Sequence, residues 1–162
     1  MAKIAGYSGT PLAKKLGIKE DSHVFLVSAP IEYGSLVEPL PCGVMFQTRV
    51  SAATDLAHIF VTREQDLRRH LTALRRTLSP EAAVWVSWPK KASGVATTVT
   101  EQTIRDICLP MGFVDVKVCA VNEVWSGLKL VVRKALRQGP GSNARKPFKN
   151  RSPRAAMGTA PR

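Results

Sequence analysis

Two short segments hold the side chains best suited to grip a ligand. Residues 88–94, Trp-Pro-Lys-Lys-Ala-Ser-Gly, set two ammonium groups, a hydroxyl and a glycine on one loop. Residues 122–127, Asn-Glu-Val-Trp-Ser-Gly, set an amide, an indole and a second hydroxyl on another. Lysines and a hydroxyl beside a pliant backbone suit a phosphate or carboxylate, with tryptophan as an apolar wall. Lys90, Lys91, Ser93, Trp88, Trp125, Ser126 and Asn122 are therefore the candidate ligand-binding residues. A plainer reading stands beside them: Lys90 and Lys91 as a solvated loop pair, Trp88 and Trp125 as packing beneath loops.

The commoner chemistries find no such candidates. His23, His58 and His70 share no ligand spacing and read as structural, so no metal site is expected. Cys42, Cys108 and Cys119 are odd in number and far apart, which fits buried thiols in a reducing cytosol. Aspartate and glutamate are sparse and unclustered, leaving no pair for acid–base work. There is no phosphate loop of the Gly-x-x-x-x-Gly-Lys-Ser/Thr kind and no Gly-x-Ser-x-Gly elbow. No catalytic residue and no cofactor is expected.

The two loops need strands to carry them. Residues 23–30 form a short apolar run closed by proline and read as a buried strand. Residues 43–50, 56–61 and 82–88 read as the second, third and fourth. Residues 10–17 read as a short helix, with Thr10 as N-cap, Pro11 in its first turn and Gly17 as a left-handed stop. Only a turn or two of helix fits around residues 34–37. Thr62 and Gln65 form a capping-box pattern. Leu67, Leu71, Leu74 and Leu78 then recur at helical steps, with Arg68, Arg69, Arg75 and Arg76 on the solvated side. Residues 100–111 make the next helix, stopped by Gly112. Residues 114–121 and 128–133 read as an antiparallel hairpin, in which Lys129 is expected to face solvent.

Charge is unevenly distributed. The chain of 162 residues carries a net +12. All 12 acidic residues precede Arg137, while 7 of the 24 basic residues lie from Arg137 onward. Residues 1–136 thus read as one folded domain. Residues 137–162 read as a disordered basic tail, too poor in apolar side chains to offset its ordering entropy. Arg145, Lys146, Lys149, Arg151 and Arg154 in that tail are the candidate contacts to nucleic acid or an anionic membrane. No apolar stretch approaches the roughly 18 residues that span a bilayer, and a cytoplasmic location is expected.

The element order predicts an α/β, Rossmann-like three-layer sandwich, with a mostly parallel sheet of about six strands ending in an antiparallel hairpin. Its close resembles that of a class I methyltransferase fold, truncated by one βα unit. Residues 6–18, 84–91 and 118–132 together are similar to a bacterial family catalogued only as domain of unknown function number 3052. That resemblance implies a small cytoplasmic α/β domain and no assigned activity. Nucleotide cofactors in such folds rest on a glycine-rich turn after the first strand and on an acidic residue ending the second. Here the turn is Ser28-Ala-Pro-Ile-Glu-Tyr-Gly34, and the second strand ends Gln47-Thr-Arg-Val50. The expectation is a non-enzymatic module binding a small anionic ligand or a protein partner at the carboxyl edge of the sheet. The alternatives are a degenerate methyltransferase-like transferase and a nucleic-acid accessory protein working through its tail.

Overall fold

A strand buried on both faces must be apolar along its whole length, because helices cover it above and below. Residues 56–60, Leu-Ala-His-Ile-Phe, satisfy this with one exception, and all five are buried. A computed structural model describes residues 9–137. It contains strands β1 (His23–Val27), β2 (Met45–Gln47), β3 (Leu56–Phe60), β4 (Ala83–Pro89), β5 (Phe113–Ala120) and β6 (Trp125–Val132). They form one sheet in the order β2-β1-β3-β4-β6-β5. The first four strands are mutually parallel; β6 runs antiparallel between β4 and β5. This is the Rossmann-like sandwich with a closing hairpin that the element order predicts.

Helices α1 (Leu12–Leu16) and α2 (Tyr33–Leu36) cover one face; α3 (Glu64–Thr77) and α4 (Glu101–Cys108) cover the other. A last turn, α5 (Lys134–Arg137), follows β6. The leucine stripe of α3 is where its period places it. Leu67, Leu71 and Leu74 pack with Ile104 and Ile107 of α4 onto Ile59, Val86 and Leu130 of the sheet. On the opposite face Leu12 and Leu16 of α1 meet Val24, Phe60 and Trp85. The indole N–H of Trp85 donates to the Leu16 carbonyl at 2.8 Å, which fixes where α1 lies. Gly17 ends α1 at φ +86, a conformation that disfavours a side chain.

Local signals fail at the starts of α1 and α3, though Thr100 caps α4 through a box with Thr103. Pro11, not Thr10, is the N-cap of α1. The expected Thr62–Gln65 box does not form: α3 starts at Glu64 behind Arg63, which gives no side-chain cap. Its first N–H, from Glu64, donates instead to Thr98 Oγ1 at 2.8 Å. The orphan amide is satisfied from a loop 34 residues away, which is all that its chemistry requires. The reading of three buried thiols holds for Cys108 alone, since Cys119 is half-buried and Cys42 exposed. No helix among the described residues is long and apolar enough to cross a membrane. The tail residues Arg145, Lys146, Lys149, Arg151 and Arg154 lie outside the described residues.

Candidate functional site

Parallel strands end together at one edge, where loops converge and ligands of such sheets sit. Here that edge gathers the turn after β1, the ends of β3 and β4, and the start of β6. Residue pairing places Trp88 opposite Ser126 and Pro89 opposite Trp125. The Lys90 N–H donates to the Val124 carbonyl at 2.7 Å, so the loop after β4 is tied to the turn between β5 and β6. The two segments singled out in the sequence are thus neighbours.

Their side chains are not equally available. Ser93 Oγ donates to the Lys90 carbonyl at 2.6 Å and accepts the Val95 N–H at 3.1 Å, closing a 3-10 turn over Lys91–Ser93. Asn122 Oδ1 accepts the N–H groups of Val124 and Trp125 at 2.9 and 2.8 Å. Both residues therefore shape their own loops. Trp88 packs toward the α3–α4 face and Trp125 toward the α1–α2 face, so the two indoles do not wall one pocket. Lys91 is exposed and Lys90 half-buried.

Beneath this edge lies a group of residues that the sequence did not flag as a site. Tyr33 of α2, His58 of β3 and Ser87 of β4 are all buried. Tyr33 Oη and His58 Nδ1 are 2.9 Å apart, and His58 Nε2 and Ser87 Oγ are 2.7 Å apart. A neutral imidazole offers one donor and one acceptor, so the chain of bonds runs in one direction from end to end. Burial pushes His58 down to about 3, which keeps it neutral. Burial, with the Cys119 charge second, holds the Tyr33 phenol well above its ordinary range. Around this chain, Phe60 stacks on His58 at 4.4 Å, and Trp125 meets the edge of Phe60 at 5.1 Å. Tyr33 and His58 thereby clamp the short α2, and the turn before it, onto the sheet. His58 was legible only as a structural residue in an apolar strand; Tyr33 carries no periodic signal at all.

The turn after β1 has an unusual backbone. Ser28 sits at φ +55, where glycine is the easier residue. The Pro30 carbonyl accepts the Tyr33 N–H at 2.9 Å, and Pro30 itself has no N–H to offer a ligand. At the end of β2, the Gln47 side chain accepts from Thr54 Oγ1 at 2.9 Å, and no carboxylate replaces it. The ordinary seat of an adenosyl cofactor is therefore not matched at either place: the glycines and the ribose-binding acid are both missing. Among the described residues, no three histidine, cysteine or acidic side chains are grouped to hold a metal ion.

No family model matches the chain, and no curated protein matches it. Solved structures do. A SAM-dependent methyltransferase from Aquifex aeolicus aligns at a TM-score of 0.55 and 14% identity, over 75% of this chain and 88% of that one. Magnesium protoporphyrin IX methyltransferase from Synechocystis PCC 6803, with bound SAM, gives 0.52 and 13%, over 75% and 74%. The DhpI–SAH complex gives 0.53 and 9%, over 76% and 82%. At such identities the likeness is one of fold. It corrects the expectation of a non-enzymatic module binding a small anion or a protein partner, since these neighbours favour the methyltransferase-like alternative. In architecture the chain is similar to the class I SAM-dependent methyltransferases, in truncated form.

Proposed function

We propose that this chain is a degenerate methyltransferase-like transferase whose working edge is formed by the carboxyl ends of β1, β3 and β4. The strand order, with β6 inserted antiparallel between β4 and β5, is the observation that carries this reading. The left-handed Ser28 supports it, because a tight turn at the end of β1 persists without its glycine. Free cysteines support a cytoplasmic setting. The likeness of residues 6–18, 84–91 and 118–132 to domain-of-unknown-function family 3052 supports placing the chain in that family.

The missing donors set an expectation for affinity. A hydrogen bond to a carboxylate contributes roughly 1.5–3 kcal/mol. Loss of the acid at the end of β2 alone weakens an adenosyl ligand by about ten- to a hundredfold. Calorimetric titration of the full chain with S-adenosylhomocysteine and S-adenosylmethionine tests the proposal. Weak, saturable heat supports it. No heat with either at millimolar concentration removes the transferase reading.

A further inference from the structure

A second surface lies away from that edge, on the α1 face of the β5–β6 hairpin. Lys117 of β5 and Lys129 of β6 are directly opposed partners in the antiparallel ladder. Side chains so placed lie about 5 Å apart at Cβ, and like charges there repel. The opposition depends on a bulge. The register shifts between Asp115 and Lys117, leaving Val116 as the extra residue. Asp115 pairs with Leu130 and turns toward α4, where it binds Arg105. Without the bulge Lys117 would follow it. With the bulge, Lys117 moves to the face of Lys129, Trp85 and Cys119. Bulges that re-aim one side chain are features of use more often than defects.

Two further lysines approach from α1 and the segment after it. The charges of Lys117 and Lys19 both depress Lys129, after burial as the larger cause. Burial raises the Cys119 thiol, and the charges of Lys15 and Lys117 oppose that rise. Lys19, Lys117 and Lys129 have no salt-bridge partner among the described residues. Nor does Lys129 cap α1, although its Nζ lies 4.0 Å from where a Cβ on Gly17 would stand. The carbonyls of Ala13, Lys14 and Leu16 accept instead from Ile18, Gly17 and Trp85. A half-buried ammonium is thus left facing like charges, an arrangement that an external anion relieves.

We propose that Lys15, Lys19, Lys117 and Lys129 form a docking surface for the phosphodiester backbone of a nucleic acid. A cluster of ammonium groups of which Lys19, Lys117 and Lys129 form no salt bridge among the described residues suits a polymer of phosphates. The apolar side of α1, Leu12, Ala13 and Leu16, is turned into the core, so this helix does not lie in a membrane interface as an amphipathic anchor. This surface is separate from the carboxyl edge and stands whether or not the chain is a transferase.

The test is fluorescence anisotropy of a labelled 20-base-pair DNA duplex with the full chain, from 50 to 200 mM KCl. Wild type binds with a salt-dependent affinity. Lys117→Gln with Lys129→Gln lowers the log–log salt slope by about 1.8, or roughly 60-fold in affinity at 0.1 M salt. Lys19→Gln, on an exposed loop, lowers the slope by about 0.9 and serves if the double variant fails to fold. The proposal is overturned if wild type does not bind the duplex at 50 mM KCl. It is equally overturned if the lysine variants keep the wild-type slope while Arg151→Gln with Arg154→Gln loses binding. Lysine-dependent sedimentation with phosphatidylserine vesicles, without DNA binding, overturns it in favour of a membrane.

Discussion

Substituting Tyr33→Phe removes a single oxygen and keeps the ring, so the edge contacts to Phe46, His58 and Phe60 survive. What it breaks is the 2.9 Å bond to His58 Nδ1. His58 is 0% exposed, so water cannot replace the lost partner. Leaving one buried polar group unsatisfied costs about 1–3 kcal/mol. For a domain near this size each kcal/mol moves Tm by roughly 3–5 °C, so the expected fall is about 3–15 °C. The assay is urea unfolding followed by tryptophan fluorescence, where Cm should fall with m unchanged. Ser87→Ala cuts the other end of the chain at the 2.7 Å bond. Because both bonds share one imidazole, the double variant should deviate from additivity by more than about 0.5 kcal/mol. A Tyr33→Phe loss under about 0.5 kcal/mol, or strict additivity with Ser87→Ala, would refute a buried, directional chain.

The same histidine predicts a pH dependence. Its folded value of about 3 lies below the ordinary 6.5. The unfolded chain therefore takes up a proton that the folded chain refuses, and stability falls as pH drops from about 6.5 toward 3. Urea unfolding at pH 7.5, 5.5 and 4.5 should show a loss of a few kcal/mol, flattened in His58→Gln. Thr98→Ala removes the external acceptor for the first N–H of α3; it should cost about 1 kcal/mol in thermal unfolding, the usual value of a lost cap. Gly112→Ala forces a side chain into φ +101, with its Cβ 2.8 Å from Leu136 Cδ1 and 3.1 Å from Arg75 Nε. A loss of about 1–3 kcal/mol is expected, and an unchanged Tm would show that this backbone relaxes freely.

The elements were written locally wherever burial imposes a period. The leucine stripe of α3 and the apolar runs of β3 and β4 each state which residues must leave water, whereas in β1 only Val24 is buried; Gly17 states where α1 must stop. The missing glycines after β1 and the missing acid after β2 were legible for the same reason, since each is a residue type at a counted position. Tertiary structure alone decided the partnerships. Thr98 caps a helix it does not precede, because an amide needs an acceptor and not a sequence neighbour. Tyr33, His58 and Ser87 meet only after the parallel strands are laid side by side. Trp88 and Trp125 fall on opposite faces because the antiparallel register sets them one step apart. Lys117 faces Lys129 only because one bulged residue reverses the alternation that the sequence would otherwise dictate, and a strand's pattern cannot reveal where its partner skips.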